Sequence, residues 1–182
     1  MVREDAREWT EDEWLREAEL LFGGNVMFWR FQCPMCGHIQ TPHDFLEAGA
    51  SPHAAYVNCI GRYTGGGKFG STKPCDYAGG GLFQSPWVVH GKDGKDARVL
   101  PFAPPILERT IGKRQWICRV HRVNEKKWMI RVLDADKKPL DYVRTGTEAN
   151  SQRHWKSESA CVAYLEACQP GYGVPRENDP WK

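Results

Sequence analysis

The chain has 182 residues, of which 41% are hydrophobic and 12% aromatic, with a formal net charge of +2. Eight tryptophans argue against a disordered chain, and no apolar run approaches the roughly 18 residues of a membrane helix. The acidic start is not that of a signal or transit peptide, so a soluble protein of the cytoplasm, with no membrane partner, is expected.

The small net charge hides separated poles. Residues 1–22 carry a net −5 and residues 113–156 a net +7. A basic block of that strength suits a polyanion, and an acidic leader suits a basic surface or an internal clamp. The plainer alternative is that both are solvated faces. Seven cysteines without a secretory signal favour a metal site over a disulfide framework. Cys118, Cys161 and Cys168 stand apart from the clustered cysteines and read as small buried hydrophobes.

In chain order, Thr10 and Glu13 form a capping-box pair. Trp14, Leu15, Ala18, Leu21 and Phe22 follow at helical spacing, and Gly23-Gly24 ends that helix. Phe28 to Phe31 reads as a short strand entering the knuckle Cys33-Pro34-Met35-Cys36-Gly37-His38. Thr41 caps a short helix with Pro42 at its first position and Asp44 in its first turn. Ser51-Pro52 starts a second helix that delivers Cys59. Cys75 lies between two triglycine runs, Gly65–Gly67 and Gly79–Gly81. Trp87–Val89 and Arg98–Phe102 flank Gly91–Gly94 as a hairpin. Prolines 101, 104 and 105 mark a boundary. Beyond it, Trp116–Val123, Trp128–Leu133 and Leu140–Arg144 read as three strands. Ser157 then caps a helix striped with Cys161, Tyr164, Leu165 and Cys168.

The fold class is therefore α+β: a zinc-knuckle domain with short helices and a β-hairpin, followed by a three-stranded antiparallel sheet plus one helix. The expected divisions are 1–24 (acidic helix), 25–105 (zinc-binding domain), 106–170 (basic strands and helix) and 171–182 (extended tail).

Cys33 and Cys36, spaced C-x2-C before Gly37, can aim two thiolates at one ion while main-chain amides donate to the sulfurs. Cys59 and Cys75 complete a tetrahedral set for one structural zinc ion, with His38, His43 or His53 open as replacements for one of them. Four protein ligands leave no position for an activated water. His38, His43, Asp44 and His53 could also form a second site, or serve as surface groups. The glycine loops, with Arg62 and Lys68, either cradle a phosphate or let the chain fold tightly round the metal; neither fits the Walker A pattern.

Cys33–His38, Thr41–Phe45, Cys59–Gly67 and Pro74–Leu82 carry a resemblance, over residues 26–102, to a small zinc-binding family encoded in phages and prophages. That resemblance implies a viral setting and no particular reaction. In the basic block, Arg119, His121 and Arg131 alternate with Trp116, Cys118, Val120, Trp128, Ile130 and Val132. One buried face and one cationic, solvent-facing face are expected. With Trp128–Val132 as central strand and Ser159–Tyr164 in the helix, the order resembles the three-strand-plus-helix DNA-binding domains of ethylene-response regulators and integrase arms. There, strand arginines and tryptophans enter the major groove.

No catalytic constellation emerges: there is no zinc-deaminase order of motifs and no G-x-S-x-G elbow. The expected function is a non-enzymatic, phage-type interaction protein that binds and blocks a host machine such as a defence nuclease or CRISPR complex. Arg62, Tyr63 and Trp87 are its candidate anchors on the zinc lobe. The alternative is a nucleic-acid-binding zinc protein that contacts DNA or RNA through Arg119, His121 and Arg131. A metal-dependent nuclease or phosphodiesterase comes last.

Overall fold

The computed structural model describes residues 5–67, 73–111, 115–142 and 153–167, so Lys68, Arg144, Cys168 and the expected tail at 171–182 lie outside the described residues. The fold is α+β, and the chain divides into two compact units. The first joins Met1–Glu19 to Val26–Ala103, and the second joins Leu20–Asn25 to Pro104–Lys182. Residues of the acidic helix thus belong to both units rather than to a segment of their own.

The chain opens with strand β1 (Arg7–Thr10) and helix α1 (Glu11–Phe22), whose residues up to Glu19 belong to the first unit. The expected capping box is present: the Thr10 amide donates to Glu13 Oε2 at 3.0 Å, and the Glu13 amide donates back to Thr10 Oγ1 at 3.3 Å. Gly23, at φ +89°, ends the helix. Where a strand was expected at Phe28–Phe31, a 3-10 turn over Val26–Phe28 precedes a two-residue strand, β2 (Phe31–Gln32). Adjacent Phe28 and Trp29 are both buried, which a turn permits and a half-buried strand does not.

β2 pairs antiparallel with β3 (Ile39–Gln40), and the knuckle is the loop between them. Helix α2 (Pro42–Glu47) carries the expected Thr41 cap, with Asp44 bonding back to the Thr41 amide at 2.7 Å. The segment after Ser51 is a 3-10 helix, Pro52–Tyr56, without a side-chain cap. A four-residue helix, α3 (Gly61–Thr64), follows Cys59. The hairpin is β4 (Trp87–His90) and β5 (Asp96–Val99), and β1 lies parallel to β4 on its other side. The core of this unit is aromatic. Trp14 stacks on Phe31 and Phe102, and Trp9 and Trp87 pack against each other at 5.4 Å.

The second unit is a four-stranded antiparallel sheet, in the order β6 (Glu108–Ile111), β7 (Trp116–Asn124), β8 (Lys127–Leu133), β9 (Pro139–Tyr142). β6 corrects the three-strand reading: four residues of Glu-Arg-Thr-Ile carry little pattern alone and are held by pairing with Trp116–Arg119. Helix α4 (Glu158–Ala167) is capped by Ser157, whose Oγ accepts from the Ala160 amide at 3.3 Å. Its Cys161 and Leu165 join Trp116, Cys118, Val120, Trp128, Ile130 and Val132 in one apolar core.

The opposite face of this sheet overturns the expectation of a wet cationic surface. Arg119, His121 and Arg131 are only 3%, 2% and 9% exposed, beside buried Met129 and Leu133. Leu20–Asn25 lies against Arg119 and His121. Arg119 Nη1 donates to the Leu20 carbonyl at 3.0 Å, Asn25 Nδ2 donates to the Val123 carbonyl at 2.7 Å, and Gly23 lies against the His121 ring. The last turn of α1 has no basic residue of its own, so Arg119 supplies the cation its C-terminal carbonyls favour. Arg119 also pairs with Glu108. Burial, then the charges of Arg131 and Arg119, push His121 down to about 3, so it is neutral at ordinary pH.

Candidate metal centre

The knuckle turn is built by its main chain. The Gly37 amide donates to the Cys33 carbonyl at 2.8 Å and the Cys33 amide to the His38 carbonyl at 2.8 Å, with Gly37 at φ +72° closing the loop. Amides then face sulfur: those of Met35 and Cys36 toward Cys33, that of His38 toward Cys36, and those of Gly61 and Cys75 toward Cys59.

The third and fourth cysteines arrive on strands of irregular chain held by specific bonds. The Cys59 amide donates to the Tyr77 carbonyl at 2.9 Å, and Asn58 bridges to Ala78. Gln40, fully buried, is the clamp that sequence reasoning missed. Its Nε2 donates to the carbonyls of Ala55 and Asn58 at 2.7 and 2.6 Å, and its Oε1 accepts from the Ile60 amide at 2.8 Å. All three bonds hold the segment that presents Cys59. Nothing in its neighbourhood, Gly37-His38-Ile39-Gln40-Thr41, marked it in the sequence.

The four sulfurs of Cys33, Cys36, Cys59 and Cys75 all lie within 4.8 Å of one another. Cys33 and Cys75 are 3.8 Å apart and Cys36 and Cys59 are 3.9 Å apart. A tetrahedron with metal–sulfur bonds of about 2.3 Å has edges of about 3.8 Å, so the set fits a metal ion. Three of the cysteines are buried and Cys36 is partly so. The bond from the Cys33 thiol draws Cys59 down to about 5. The same bond, then burial, raises Cys33, and burial raises Cys36. Sulfurs this close cannot all ionise by themselves, and a divalent cation at their centre would let them.

None of His38, His43 and His53 shares this set. His53 Nδ1 lies 2.7 Å from the Tyr56 hydroxyl, while His43 and Asp44 group with Glu47. In the latter, half-buried Asp44 serves the cap, and half-buried His43 packs on the Phe28 ring and sits 3.7 Å from exposed Glu47. The glycines read as tight packing: a Cβ on Gly61 would stand 2.4 Å from the Cys75 carbonyl oxygen, and one on Gly79 2.7 Å from that of Val57.

Of the expected anchors, Arg62 is exposed and donates to the Asp76 carbonyl at 2.9 Å. Tyr63 is exposed too, its hydroxyl accepting from Asn58 Nδ2 at 2.9 Å. Trp87 is buried against Trp9 and Phe102 and cannot serve as an anchor. The loop after Cys75 instead exposes Leu82, at 93%, and Phe83. Among the described residues, no helix is long and apolar enough to cross a membrane.

Four clustered sulfurs in a loop-rich lobe of an α+β fold define a protein with a candidate structural metal centre. The chain belongs to the VVA0879-like family, which it matches over residues 10–103. That span holds all four cysteines and takes in α1, which the resemblance over 26–102 left out. No curated protein and no solved structure matches the chain.

Proposed function

We propose that the cluster holds one zinc ion and that the chain is a non-enzymatic, phage-type interaction protein that blocks a host macromolecular machine by occupying it. The observation carrying this reading is the closed ligand set: four sulfurs at tetrahedral spacing leave no position at which an ion would activate water. Thiolates select zinc over hard cations, and four of them make a structural site. Arg62 and Tyr63, next in the chain to the Cys59 ligand segment, and Leu82 and Phe83, after Cys75, are exposed and available for contact. A binder needs such anchors and needs no nucleophile or base. A defence nuclease or CRISPR complex is the host target proposed, in keeping with the phage resemblance of the cysteine motifs.

Metal analysis of purified protein should return about one zinc per chain, with Cys36→Ser lowering it. Expressed in bacteria carrying single defence systems, the chain should restore phage plaquing against one of them. Inhibition of that system in vitro should saturate near one copy per target. Full inhibition at strongly substoichiometric dose, or no rescue across nuclease and CRISPR systems, refutes the occupancy reading.

A further inference from the structure

Burial of Arg119, His121 and Arg131 removes the expected cationic face, yet the second unit gathers other cations at one end of its sheet. The turn between β7 and β8 carries Lys126, β8 opens on Lys127, and Arg122 stands across from Trp128. Residues 153–156 are brought to the same end by a two-bond bridge. The Trp128 amide donates to the Trp155 carbonyl at 2.9 Å, and the Trp155 amide donates back at 3.0 Å. The bridge sets Lys156 across from Lys127 on one face and leaves Arg153 on the other, beside Trp155, while burial and then the Lys127 charge lower His154.

The two arginines are held by rings. The Arg122 guanidinium sits 5.4 Å over Trp128, and that of Arg153 sits 5.1 Å over Trp155 and 4.4 Å over Tyr164. A guanidinium stacked on a ring is fixed by its face, while its donors lie in its plane, the fork that matches a phosphate. Lys126, Lys127 and Lys156 pair with no carboxylate among the described residues. Among the described residues, Glu125 and Glu158 are the acids next to these cations in the chain, so cations outnumber them.

We propose that this sheet end, formed by Arg122, Lys126, Lys127, Arg153 and Lys156, is a contact surface for the phosphodiester backbone of a nucleic acid. Trp128 and Trp155 are buried and offer no stacking face to bases. The surface reads charge and spacing rather than sequence. An acidic protein would want an apolar anchor at the centre of its interface, and among the described residues this patch exposes none. The patch shares no residue with the cysteine cluster, and it stands whether or not the occupancy reading does.

The test is fluorescence anisotropy with labelled random-sequence DNA and RNA duplexes of about 20 base pairs, over a salt series. The full chain should bind both with steep salt dependence. Lys126→Gln/Lys127→Gln/Lys156→Gln should weaken binding about tenfold or more and lower the salt slope by about 2 to 3. Lys137→Gln/Lys138→Gln, at the other turn of β8, should change affinity less than about twofold. Unchanged thermal melting of both variants shows that folding is not the cause. A triple variant that binds like the parent overturns the proposal. So does a parent that ignores both duplexes, including one that binds polyglutamate instead, which would assign the patch to an acidic protein.

Discussion

The two units solve the same problem with different materials. The second has long strands, a helix and an apolar core in which Ile130, Cys118 and Leu165 are all but fully buried. The first has two-residue strands, a four-residue helix and long irregular connections round four cysteines. Irregular chain has few ladder bonds to share, so its polar groups need dedicated partners such as Gln40, and the proposed zinc would supply a cross-link at the centre. A sheet with a continuous apolar face needs neither. The contrast predicts that perturbations at the metal and in the sheet core separate cleanly.

The largest effect should come from removing the proposed zinc. Structural zinc sites contribute apparent binding energies of about 10–16 kcal/mol, and that energy is folding energy. In the full chain, a strong chelator should abolish hydrogen-exchange protection in β2 to β5 while β7 and β8 stay protected. Equal loss in both units would break the comparison. Next, Ile130→Ala should destabilise the second unit by about 2–5 kcal/mol through lost burial and a cavity, with zinc content unchanged.

Gln40→Ala sharpens the contrast from the other side. It leaves two carbonyls and the Ile60 amide without their buried partner, at a cost of about 1–3 kcal/mol. Retention of zinc against a competing chelator should weaken about 10- to 100-fold, with the second unit's exchange unaltered. The smallest effect is in pH dependence. His121 is neutral in the folded state, held down to about 3, against an ordinary 6.5 when unfolded. Its contribution is complete above pH 6.5 and is lost as pH falls toward 3, adding at most about 1.4 kcal/mol per unit to the slope. The groups facing it are Arg119 and Arg131, with Glu108 paired to Arg119. His121→Gln should flatten the denaturation midpoint of β7 and β8 across that window, and an unchanged slope would assign it to carboxylates.

Local chemistry was legible before the fold. Thr10-Glu13, Thr41-Asp44 and Ser157 announce caps that depend on residues three apart, and the knuckle announces itself by spacing. What stayed hidden is long-range. Alternation in β7 and β8 separates two faces but cannot say which is wet. The answer lies in Leu20, 99 positions before the Arg119 that bonds it. β1 likewise depends on β4, far along the chain, and that pairing sets the place of Trp9 against Trp87. Gln40 looks like any surface glutamine until the carbonyls it serves are known.

Gly61 carries a consequence for how this chain tolerates change. Its missing side chain is the space that the Cys75 carbonyl fills, so any replacement pushes one ligand-bearing segment off the other. In a saturation scan scored by zinc retention, Gly61 and Gly79 should behave as though they were ligands. Gly80, which has open space where a Cβ would go, should accept most residues. The fingerprint of the metal centre in such a scan is thus wider than its sulfurs, and part of it is written in atoms the protein does not have.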